Sequence, residues 1–86
     1  MKMQYRFVTF PERSAGATVD HKCATFNAAK LKARQSAIDE SLKNFSAFSI
    51  VQAWNQPTRT MFDLYTIYAE AGEVTQEIDD NVWGYA

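Results

Sequence analysis

Cysteine and histidine are nearly absent: Cys23 and His21 stand alone in 86 residues. A lone cysteine excludes an intramolecular disulfide, and one residue of each type cannot build a Cys/His zinc site, which takes four ligands. Glycine is scarce too. Gly16, Gly72 and Gly84 are far apart, so there is no glycine-rich loop to cradle a phosphate. No apolar run exceeds four residues, against the ~20 that a membrane-spanning helix needs, so no membrane partner is expected. The first residues, Met1-Lys2-Met3-Gln4-Tyr5-Arg6, lack the apolar stretch of a secretory signal, which makes the cytoplasm the expected location.

Basic residues are missing from the whole last third. Residues 1–59 carry all nine lysines and arginines and four acids, a balance of +5; residues 60–86 carry six acids and no base, a balance of −6. The formal net charge of −1 therefore hides a chain that is dipolar in sequence. Its length suits one domain, residues 1–86, and is too short for a dinucleotide-binding or α/β-barrel enzyme. Against these shortages stand two Trp, four Tyr and six Phe, which supply large buried area per residue.

The periodicity gives an α+β order, β-β-α-β-β-β. Met3, Tyr5 and Phe7 alternate with Gln4 and Arg6, which predicts a half-buried strand over 3–10. A turn at Pro11–Gly16 leads into a weaker strand over 17–25 that pairs with the first as a hairpin. Residues 28–43 read as the helix, with Asn27 or Thr25 as its N-cap. Leu31, Ile38, Leu42 and Phe45 recur on one stripe with Gln35 near its centre, the face expected to meet the sheet. Strands are expected over 47–54, 60–70 and 74–78, with turns at 55–58, 71–73 and 79–81 and an aromatic end, Val82-Trp83-Gly84-Tyr85. The fold class is a single antiparallel sheet of four to five strands with one helix on one face. Strand 60–70 has no polar side: alternation sets Phe62, Leu64 and Tyr68 on one face and Met61, Tyr65 and Ile67 on the other. The helix covers only one of them. The second face is therefore covered by the C-terminal tail, by a second copy, or by a partner.

Few residues suggest chemistry. His21 and Cys23, two apart on a strand, would share a face and permit a nucleophile–base pair. No oxyanion loop accompanies them, and a half-buried Cys beside a surface His explains them as well. The acids at 73, 77, 79 and 80 lack calcium-loop spacing; they read as a solvated end or as a mimic of phosphate charge. No cofactor is called for. The basic cluster Lys30, Lys32 and Arg34 crowds the first half of the helix, where the dipole disfavours cations. A local rule broken in this way hints at a binding role, and Arg6 can join the cluster if the fold brings it near. The number of bases falls short of a dedicated nucleic-acid module, so no direct sequence-specific nucleic-acid contact is expected.

The short strand, turn and second strand running into a helix at Thr25-Phe26-Asn27-Ala28-Ala29-Lys30, followed by strands and an aromatic tail, resembles several small phage-encoded inhibitors, type I anti-CRISPR proteins among them. The resemblance is one of arrangement, and it carries no functional residue over. It implies a phage or mobile-element inhibitor in the host bacterial cytoplasm that binds a host protein or nucleoprotein, such as a CRISPR effector complex, and blocks its nucleic-acid recognition without catalysis. The residues expected to contact that partner are Lys30, Lys32, Arg34, Arg6, Tyr65 and Tyr68. The alternative is a homo-oligomeric structural or accessory protein, a homodimer included, that packs on itself through the apolar sheet face.

Overall fold

The computed structural model describes residues 3–12, 18–55 and 59–79. Five strands and one helix follow the expected order: β1 (Met3–Pro11), β2 (Thr18–Cys23), α1 (Phe26–Asn44), β3 (Ser46–Asn55), β4 (Thr60–Glu70) and β5 (Glu73–Asp79). The strands form one antiparallel sheet in the order β2-β1-β3-β4-β5, so the α+β class holds. The aromatic end and most of the expected turns at 11–16, 55–58 and 79–81 lie outside the described residues.

Helix α1 starts at Thr25, not Asn27. The Thr25 hydroxyl oxygen accepts from the Ala28 N–H at 3.1 Å, and its extended backbone (φ −134°, ψ 160°) suits a cap. The helix is also rolled relative to the sequence expectation. Its buried face is Ala29, Ala33, Ala37 and Ser41, while Leu31, Leu42 and Phe45 are 64%, 66% and 54% exposed. The cause lies in the sheet. Its helix-facing side chains include Phe7, Val51 and Ile67, which fill the interlayer space themselves. Only methyl-sized side chains fit above them, so the helix backbone comes in close. The small residues also bring hydroxyls together. Thr9 Oγ1 lies 2.7 Å from both Ser36 Oγ on the helix and Ser49 Oγ on β3, and buried Ser41 accepts from the Gly72 N–H at 2.9 Å.

Register shifts in β4, β2 and β5 decide which side chains share a face. In β4 the register passes from Val51↔Tyr65 to Gln52↔Asp63, so Leu64 is an extra residue. Strict alternation fails there. Tyr65, Ile67 and Ala69 face the helix, and so does Phe62, the partner of Ala53. Met61 joins Tyr68 on the opposite face. In β2 the register slips between Asp20 and Cys23, and the His21 side chain of the expected His21–Cys23 pair lies outside the described residues. Cys23 is buried in the core under α1. Strands β4 and β5 join through a two-residue turn with positive φ at Ala71 (49°) and Gly72 (86°), the backbone of a type I′ hairpin.

Candidate functional site

Two of the three clustered helix bases, Lys30 and Arg34, have a structural occupation. Arg34 Nη2 donates to Glu77 Oε1 at 2.5 Å, and the Tyr65 hydroxyl donates to the same oxygen at 2.8 Å. Lys30 Nζ stands 4.6 Å from the Tyr65 ring centre and 5.4 Å from that of Phe26, and these two rings meet edge to face at 6.2 Å. The cationic start of the helix is thus neutralised by β5 and by aromatic faces. The +5 and −6 halves of the sequence meet here. The Arg34 hydrogen bond holds the Glu77 carboxyl below its ordinary range, and Glu77 in turn raises the Arg34 guanidinium. Burial, then the bond to Glu77, pushes the Tyr65 phenol up. Lys32 is exposed on another side of the helix.

The six residues expected to contact a partner therefore do not form one site. Lys30, Arg34 and Tyr65 belong to this latch between α1 and the β4–β5 hairpin. Arg6 and Tyr68 lie on the opposite face of the sheet. That face is built in rows. Cross-strand partners in an antiparallel sheet stand side by side, and the registers align five of them. Gln4, Trp54 and Met61 form the first row. The second is polar: Arg6 Nε donates to Gln52 Oε1 at 3.0 Å, and Gln52 Nε2 donates to Asp63 Oδ1 at 2.8 Å. Val8, Ile50, Thr66 and Ile78 form the third.

The fourth row is a ladder of rings. Phe10 stacks on Phe48 with centroids 4.9 Å apart and planes at 23°, and Phe48 meets Tyr68 at 5.6 Å and 32°. The last row brings Glu12, Ser46 and Glu70 to the sheet end. Glu12 N–H donates to the Ser46 carbonyl at 2.9 Å, the Ser46 hydroxyl donates to Glu12 Oε2 at 2.8 Å, and Glu70 is the register partner of Ser46. The ladder and the carboxylates line an open groove of about 440 Å³. Among the described residues no helix or strand lies over this face, because α1 packs on the other.

Comparison with protein-family models, with curated proteins and with solved structures finds no match. Among the described residues, no helix is long and apolar enough to cross a membrane, and no group of three or more His, Cys, Asp or Glu could hold a metal ion.

A flat run of π-faces with carboxylates at its rim suits one chemistry: arginine and lysine side chains, which stack on the rings and pair with the acids. The same rim repels phosphate. Sequence reasoning found Tyr68 but missed Phe10 and Phe48 as its companions. The signal was available in the even-numbered positions of 3–10 and 47–54, which put Phe10 and Phe48 on the same face as Arg6 and Gln52.

Proposed function

We propose that this chain is a small binding protein that acts by occlusion, without catalysis, docking the sheet face opposite α1 on a basic protein surface. The observation that carries this reading is the Phe10–Phe48–Tyr68 ladder flanked by Glu12 and Glu70. Rigid aromatic anchors beside charged groups are the usual composition of interface hot spots, and stacked rings on a sheet lose little entropy on docking. The partner that fits is a surface evolved to hold nucleic acid, where arginines and lysines are dense. Together with the resemblance in layout to small phage-encoded inhibitors, this supports an anti-CRISPR-like role. The chain would cover the nucleic-acid path of a host type I CRISPR effector complex from within the bacterial cytoplasm. The contact assignment shifts accordingly: Arg6 and Tyr68 stay on the docking face, whereas Lys30, Arg34 and Tyr65 serve the fold.

The test is target-DNA binding by purified type I effector complexes in the presence of the chain. The expected result is loss of DNA binding with the natural chain and recovery with Phe48→Ala/Tyr68→Ala, while Lys32→Glu inhibits as the natural chain does. Undisturbed DNA binding by every effector tried, or full inhibition by the double variant, would overturn the reading.

A further inference from the structure

The helix carries a second exposed apolar surface, independent of the sheet groove. Leu31, Leu42 and Phe45 are more than half exposed, and Ile38 is half-buried between them. With Ala28 and Gln35 they recur at spacings of 3, 4, 3, 4 and 3, the alternation of a heptad seam, which runs along α1 and ends on its C-cap residue, Phe45. Arg34 and Ser41, which border one side of the seam, touch Glu77 on β5 and Gly72 in the β4–β5 turn. Ser36, on the far side of the helix, touches Thr9 of β1. The seam therefore looks outward above the β5 edge.

The charges along its free border are self-complementary. Lys32 and Asp39 occupy the same border position one heptad apart, with opposite signs. Antiparallel pairing of two such helices about a two-fold axis sets Ala28 against Phe45 of the second copy, Leu31 against its Leu42 and Gln35 against its Ile38. Every layer is filled by the same rule, and the operation repeats each contact. In that register Lys32 lies beside Asp39 of the second copy, twice over. A parallel pairing would instead stack Gln35 on Gln35 and bring Lys32 opposite the neutral Asn27.

We infer that α1 is a homodimer interface, with the second copy docked antiparallel along Ala28–Phe45. The seam is about 26 Å long at 1.5 Å per residue, and a single helix pair of this length is a small interface, so the dimer is concentration-dependent. The sheet groove points away from it, and a dimer presents two grooves.

Sedimentation equilibrium of the full chain across a dilution series tests this. The natural chain is expected to pass from monomer to dimer, and Leu42→Glu to stay monomeric with an unchanged circular dichroism spectrum. Asp39→Lys and Lys32→Asp each turn two attractive pairs into two repulsive ones. Each is expected to weaken the dimer roughly tenfold, while the combined swap Lys32→Asp/Asp39→Lys restores it. A chain that stays monomeric at millimolar concentration overturns the inference. So does a dimer that survives Leu42→Glu, or a double swap that fails to restore what the single changes lose. Should Leu42→Glu fail to fold, the charge-swap series alone decides.

Discussion

Replacing Thr9 by Val tests how the thin core is held. Thr9 is completely buried, and its hydroxyl joins Ser36 on α1 to Ser49 on β3 at 2.7 Å each. Valine keeps the shape and removes both bonds. Ser36 is half-buried and can turn toward water, but Ser49 is fully buried and its hydroxyl is stranded. A stranded buried hydroxyl costs about 1–3 kcal/mol. The better burial of a methyl group offsets part of this, which leaves a net loss of about 2 kcal/mol. For a domain of this size that lowers the melting temperature by roughly 8–16 °C. The assay is urea denaturation of Thr9→Val, Ser49→Ala and the double variant. In the double variant no hydroxyl is stranded at this position, so its loss should fall about 1 kcal/mol or more short of the sum of the singles. A Thr9→Val variant within about 0.5 kcal/mol of the natural chain, or strictly additive losses, would refute the hydroxyl bridge as a source of stability.

Two further outcomes follow from local geometry and charge. Ala71 occupies the left-handed region at φ 49°, where a Cβ costs about 1 kcal/mol; Ala71→Gly or Ala71→Asn should stabilise the chain by up to that amount in thermal melts. Gly72→Ala should do the reverse, since its φ is 86° and the new Cβ would lie 2.6 Å from Leu42 Cδ2. The Arg34–Glu77 pair is about one-third exposed on each side, so it contributes about 0.3–1 kcal/mol. Because the folded-state pKa of Glu77 is lowered, this contribution is complete above the ordinary carboxylate range. It is lost as pH falls through the lowered value, and Glu77→Gln should flatten that part of the acid-stability profile. Tyr65, pushed upward, should ionise above the usual ~10 in an absorbance titration and lose its separate late step in Tyr65→Phe.

The strands and their order were readable because alternation and turn residues are local signals. All five strands of the structure contain or nearly match the expected ranges. The roll of the helix was not readable. Leu31, Ile38, Leu42 and Phe45 form a better apolar stripe than Ala29, Ala33 and Ala37. The choice between them depends on the depth of the sheet side chains below, which no helical period records. The register shifts were equally hidden, since one extra residue in β4 leaves composition unchanged but exchanges the faces of Phe62 and Met61. Among the site residues, the dipole argument detected the unusual position of Lys30 and Arg34 correctly. It could not show what they meet in the fold, because Tyr65 and Glu77, their neighbours there, lie 35 and 43 residues further along the chain.

The docking role of the sheet face is tested most directly by hydroxyl-radical footprinting of the chain alone and saturated with a type I effector complex. Phe48 and Tyr68 should oxidise several-fold more slowly in the complex, with Leu31 and Lys32 on the helix unchanged. Protection of the helix with unaltered oxidation of the ladder, or no protection anywhere, would contradict the assignment of this face.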